Sequence, residues 1–468
     1  MKELKDKTGI SDTSLLLKSV LSTILLLVML FSNEMSSHAQ IRPAPDRGYV
    51  QRIRNYIDTL KIIDTHEHFL DPERIKNSSL TDFMLLLYHY NFNDYVSAGL
   101  DRNSLGPLLD DSLTIYEKWN ILKPYWEGSF NTGFNRVSLL AARSLYDIED
   151  INESTIGPLS GKIKNAYQTD WFRQVINDKC NIESVILNVD EPDEFEVEGV
   201  NIYNIRNFAP WITLRTKYTV DSIAIMQIRQ IKTIDDFVKS LETSLIKAIE
   251  SGIVAIKINV AYSRSLSFQD VSKEAARKVF RAIMDSEMAH QMTFTESKPL
   301  NDYMIFRLLD LARKYNMPVA FHTGLMSGSR NSIRYADPTL LNNVFQKYPD
   351  VNFVLFHGSY PYGGDLATIV KNFNNVYMDL NWIYAISPSY SERYLNEWIE
   401  TVPAIKIMAF GGDYSCCENT YGELIIAKQL ITRVLTNKVR EGYFSEEEAL
   451  KVAKMILYDS AVRFYKLK

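Results

Sequence analysis

Short apolar runs of β-type residues recur along most of the chain, and helical patterns lie between several of them. The runs cover residues 60–68, 184–189, 222–226, 253–260, 318–322, 352–357, 375–380 and 406–410. Helical patterns fill 234–251, 273–289, 303–315 and 340–348. Strand alternating with helix argues for a parallel sheet, because a parallel pair needs a crossover long enough to hold a helix. Eight strands is the number that closes a (β/α)8 barrel. Stretch 208–214 competes with 222–226 for the third strand. A doubly wound open sheet is the rival, but no glycine-rich phosphate turn follows the first strand, which weakens a dinucleotide reading. Between about 72 and 178 the pattern is helical without a strong strand, which predicts a helical insertion after strand one.

The chain has 468 residues, of which 46% are hydrophobic and 23% charged. With 19 Gly, 15 Pro and 3 Cys, it is neither a disordered chain, a collagen nor a disulfide scaffold. Its 52 basic and 57 acidic side chains provide no cationic surface for nucleic acid. Lys2, Lys5, Lys7 and Lys18 precede an apolar run over 20–31, shorter than the roughly 20 residues of a membrane span. Ser37 and Ala39 are the small residues of a signal-peptidase site. The expected organisation is a signal peptide over 1–39, a lead-in over 40–60 and a barrel over 61–468. Such a protein is exported, periplasmic or secreted, with no membrane span after cleavage. An uncleaved N-terminal anchor is the other reading of the same segment.

Chemistry concentrates at the strand ends. Side chains alternate along a strand, so His66 and His68 share one side, with Asp64 below them. His322 and His357 each end a later apolar run and are followed by small residues. Alone, either would read as a core histidine. Together with His66 and His68 they place four imidazoles at strand C-termini, where a barrel keeps its active site. The eighth run ends in Gly411-Gly412-Asp413, and Asp413 there can bind an ion and serve as a general base. Imidazoles with a carboxylate suit zinc or a similar divalent cation.

The series Asp64-Thr65-His66-Glu67-His68, His322, His357 and Asp413 resembles the amidohydrolase superfamily. Within it the chain is most similar to the amidohydrolase-2 group, in a nodulin-like or uronate-isomerase-like branch. The residues that carry this are the segment Ile256-Lys257-Ile258-Asn259-Val260-Ala261-Tyr262-Ser263-Arg264, His357-Gly358-Ser359-Tyr360-Pro361, and the closing run 459–465. The resemblance implies a metal-dependent hydrolase in a (β/α)8 TIM barrel. It implies His66, His68, His322 and Asp413 as ligands of one or two divalent ions, zinc or manganese, and Asp413 and His357 as catalytic groups. Water activated by the ion would attack an amide, lactone or ester carbon of a small polar substrate. Lys257 has two readings, a carboxylated bridge between two ions or a point charge for a substrate carboxylate. Tyr262, Arg264 and Asp379 are further substrate-binding candidates. Uronate-isomerase-like or decarboxylase chemistry is the alternative on the same metal site, and a barrel that kept binding but lost catalysis is a third. The expected partners are a small molecule and further copies of the chain.

Overall fold

The structure, a computed structural model, describes residues 48–190 and 196–468; the expected signal peptide and residues 40–47 of the lead-in lie outside the described residues. Eight parallel strands follow one another around a barrel in chain order. They are β1 (Ile62–Glu67), β2 (Ile182–Val189), β3 (Asn201–Asn207), β4 (Ala255–Ile258), β5 (Val319–Phe321), β6 (Phe353–Leu355), β7 (Val376–Asp379) and β8 (Ile407–Met408). The residues after β8 close on β1: Thr65 donates its backbone N–H to Phe410, Asp413 to His66, and His68 to Tyr414, at 3.1, 2.8 and 2.9 Å.

Each strand sends one apolar side chain into the barrel interior. These are Ile63, Ile186, Ile205, Ala255, Ala320, Val354, Tyr377 and Met408, packed with Phe464 and Tyr465 of the last helix. That layer is a filled core, as small barrels require, so the mouth at the strand C-termini is the end left for a site.

The third strand differs from both sequence candidates. Residues 222–226 belong to the helix Lys217–Met226, whose Thr216 cap accepts from Thr219 N–H and whose Val220 and Ile223 are buried three apart. Residues 208–214 hold a short helix, Ala209–Ile212, with Pro at its start. The strand itself, Asn-Ile-Tyr-Asn-Ile-Arg-Asn, is polar and buries only Ile205 and Arg206. Pairing with β2 and β4 forms it where apolar content does not. β2 begins two residues before its apolar run, whereas β1 and β4 to β8 are shorter than theirs, the last residues of each run leaving the ladder at the barrel mouth.

The insertion after β1 runs from the helix Pro72–Lys76 to the π-helical turn Gln174–Lys179, with no strand among the described residues. It has its own core around Phe83, Leu86, Trp119, Leu122 and Trp126. Its helix Gly133–Tyr146 packs on the long helix Cys417–Arg440 that follows the eighth strand. The contact is close at Gly422, where a Cβ would sit 2.4 Å from the Val137 carbonyl oxygen. Backbone cannot yield there as a flexible side chain can. Gly422→Ala should therefore destabilise the protein by about 1–3 kcal/mol, read as a lower urea midpoint with an unchanged slope.

Candidate metal centre

Three side chains meet at the seam between β8 and β1. His66 Nε2 and His68 Nε2 lie 3.3 and 3.2 Å from Asp413 Oδ1. All three ligand atoms fall within 4.8 Å of one another. His66 and Asp413 are buried, while His68 is partly open to the mouth. Asp413 Oδ1 is buried with no hydrogen-bond partner. A bare carboxylate oxygen facing two imidazole nitrogens is costly unless something positive joins it. Burial, then the nearby Lys257 and histidines, holds the His66 pKa well below its ordinary value, so its nitrogen lone pair is free to coordinate. The donor set fits a divalent transition ion such as zinc.

Backbone geometry points to the same place. His89, His357 and Asp413 all have left-handed φ near +62°, and all three line one cavity of about 270 Å3. Non-glycine residues rarely adopt that region, and such conformations collect at functional sites. Gly411 and Gly412 let β8 approach β1: a Cβ on Gly411 would lie 2.9 Å from the His66 backbone nitrogen, and one on Gly412 2.4 Å from Glu67 Oε1. Glu67 points away from the cavity. It accepts from Tyr414 N–H at 2.6 Å and from the Thr420 hydroxyl at 2.7 Å, tying down the residues after Asp413.

The two later histidines form a relay. His322 Nε2 faces the Leu325 carbonyl at 2.9 Å, and its Nδ1 faces His357 Nε2 at 2.9 Å. A carbonyl only accepts, so His322 carries its proton on Nε2 and accepts on Nδ1. His357 then donates from Nε2, which leaves its Nδ1 as a buried lone pair 3.6 Å from Asp413 Oδ2. Both nitrogens of His322 are thus engaged in hydrogen bonds, so of the four expected ligands His66, His68 and Asp413 converge on one point and His322 stands beside them in the same cavity. Burial pulls the His322 pKa down to about 3 and keeps the ring neutral.

Lys257 reaches the cavity from β4. Its Nζ lies 3.5 Å from His66 Nε2 and 3.6 Å from the centre of the Phe356 ring. Burial lowers its pKa to about 7, against the opposing pull of the Asp413 and Asp379 carboxylates. Tyr262 lines the same cavity. Two candidates do not. Arg264 is paired with Asp302 on the outer side of the sheet, at the helix Phe294–Lys314. Asp379 lies beneath, accepting from Thr65 Oγ1 and Asn381 N–H at 2.9 Å each, with burial raising its pKa to about 7. Cys416 and Cys417 are buried elsewhere, their thiol pKa values pushed up by burial. Trp119 and Trp126 fill the core of the insertion rather than the mouth.

The cavity also contains His89 and Tyr90 from the insertion, Asn188 near the end of β2, Asn259 after β4 and Ser327 after β5. His89 packs edge-on to His68 with ring centres 6.2 Å apart. Its Nδ1 is buried without a partner. Nothing in the local sequence marks His89; only folding of the insertion over β1 brings it there.

The sequence profile of the amidohydrolase family matches residues 226–467. The chain belongs to that family. The match spans β4 to the end of the chain, so His66 and His68 lie outside it. The chain is 26% identical over 226 residues to protein fluG of Emericella nidulans, across 47% of this chain and 26% of that protein. It thus spans about a quarter of that relative's length. Among solved structures, the uronate isomerase from Thermotoga maritima superposes with a TM-score of 0.75 at 18% identity, covering 90% of this chain and 98% of that one. The glucuronate isomerase from Caulobacter crescentus gives 0.71 at 15% identity, covering 92% and 97%. At such identities these likenesses speak for the fold.

Zinc content tests the triad. After zinc loading and dialysis, elemental analysis should find zinc lost from His66→Ala and His68→Ala but kept by His322→Ala. The same measurement separates the two roles of Lys257. Two ions per wild-type chain falling to one in Lys257→Ala would make it a bridge, whereas one ion in both leaves it to the substrate.

Proposed function

We propose that this amidohydrolase-family protein is a metal-dependent hydrolase of a small polar substrate, cleaving an amide, lactone or ester bond. The observation that carries this reading is the bare Asp413 oxygen meeting His66 and His68 in the barrel mouth. His66, His68 and Asp413 would hold the ion, zinc or manganese by the chemistry of the donors. When bound, it supplies Lewis-acid polarisation of a carbonyl and activation of water. Asp413 is the general base for the attacking water through its second oxygen, and returns the proton to the leaving group. His357, with Nδ1 bare and its tautomer set by His322, stands 3.6 Å from that oxygen and can share the proton. Lys257 is placed to meet an anionic group of the substrate. Asn188 Oδ1 and His89 Nδ1, both buried and unpartnered, provide hydrogen-bonding positions around the rest of it.

One observation favours a second reading. His357 Nδ1 and the Asp413 carboxylate are two bases side by side, an arrangement that also suits moving a proton between adjacent carbons. The uronate isomerases that share the fold carry out isomerisation by their names. Decarboxylation on the same centre completes that class. Screening zinc-loaded protein against amides, lactones and uronates in 18O-water separates these outcomes. Label in the product marks hydrolysis, an unlabelled isomer marks isomerisation, and carbon dioxide release marks decarboxylation. Asp413→Asn keeps an oxygen ligand but removes the base, so it should retain zinc and lose at least about a hundredfold in kcat. Wild-type turnover in that variant would defeat the assignment.

We place the working protein outside the cytoplasm on its N-terminal pattern. If so, the intact mass of material recovered from the native host should correspond to a chain starting at Gln40. A mass that includes Met1 would support an anchor instead.

A further inference from the structure

Arg264 closes the turn that brings β4 to the cavity. Its backbone N–H and that of Ser263 both donate to the Val260 carbonyl at 2.9 Å, and Tyr262 N–H donates to Asn259 at 3.2 Å. Asn259 and Tyr262 of this turn line the cavity. The Arg264 side chain leaves the mouth and pairs with Asp302, which is fully buried. Asp302 also pairs with Lys298 and accepts from Gln269 N–H at 3.0 Å, and Lys298 donates to the Ser267 carbonyl at 2.9 Å. One carboxylate therefore gathers three points of the segment 264–269. On its other side, Leu266 N–H donates to the Tyr335 carbonyl at 2.9 Å. Tyr262 then joins two loops: its hydroxyl accepts from Ser327 N–H at 3.2 Å, and its ring packs on His322 with centres 4.7 Å apart.

Burying such a pair is a poor way to gain stability, since apolar residues of like volume often do as well. What this pair adds is a fixed tie between the turn and the helix Phe294–Lys314, made by Arg264 Nη2 on Asp302 Oδ1. We propose that Arg264, acting through Asp302, is a positioning residue. It fixes the Asn259–Tyr262 turn so that Tyr262 holds Ser327 and walls the cavity beside His322. The substrate-affinity part of this inference rests on the enzymatic reading above; the geometric part does not.

The test uses the zinc-loaded mature protein and hydrogen–deuterium exchange at the Ser327 amide, which needs no substrate. Tyr262→Phe removes the acceptor. Arg264→Gln releases the turn while leaving Asp302 its Lys298 and Gln269 partners. Each should speed exchange at Ser327 about tenfold, with the helix Phe294–Lys314 unchanged, and combining them should add nothing. Arg264→Lys, which keeps an ion pair, should stay within about twofold of wild type. If Arg264→Gln does not fold, Arg264→Met with Asp302→Leu, which removes both charges, has the same expectation. Wild-type exchange in the released variants, or additive effects with Tyr262→Phe, would overturn the proposal. So would faster exchange throughout the barrel. On whichever amide, lactone or uronate the wild type turns over, Arg264→Gln should raise KM about tenfold with kcat within twofold; a fall in kcat alone would also overturn it. A panel without turnover counts against the enzymatic reading, and the exchange result still decides the positioning role.

Discussion

Between the end of β8 and the end of β1 the barrel closes through two glycines with no room for a side chain. Gly411 lies against the His66 backbone and Gly412 against Glu67. Four backbone hydrogen bonds cross there, the last from Leu70 N–H to the Ser415 carbonyl, and Glu67 adds two more contacts from its side chain. That close approach lets Asp413, two residues after Gly411, share one point with both His66 and His68. A bulkier seam would separate the carboxylate from the imidazoles. The rest of the barrel serves to hold the two ends in this register.

The seam gathers groups that a folded chain normally keeps apart. His66, Lys257, His322, His357, Asp379 and Asp413 are all buried within or just beneath one mouth. Burial pulls the bases down and Asp379 up, so the interior sheds charge wherever it can. Left-handed backbone at His89, His357 and Asp413 adds local strain. Such costs persist where a well-packed scaffold over-determines the geometry, and the filled interior layer below the mouth provides that scaffold.

Two peripheral elements complete the cavity. The insertion, folded on its own core, lays His89 and Tyr90 over β1. The loops after β4 and β5 meet through Tyr262 and Ser327. The barrel thus supplies a floor that carries His66, His68 and Asp413, and its loops and insertion supply the walls of the cavity.

Strand ends were legible in the chain itself because apolar runs that stop at a histidine or an aspartate can be read locally. So were the barrel, the helical insertion, and His66, His68, His322, His357 and Asp413 as residues of one mouth. The sequence also suggested β-structure at 222–226, where capping by Thr216 and spaced burial make a helix, and it passed over a polar third strand stabilised by its neighbours. It could not show that His322 pairs with His357 and the Leu325 carbonyl, since that depends on which partner each ring nitrogen meets. Nor could it find His89, or see that Arg264 turns outward to Asp302. Local pattern determines which elements form and where chemistry-bearing residues sit along them. Which of those residues face one another is decided by packing across hundreds of residues, and only the tertiary structure supplies it.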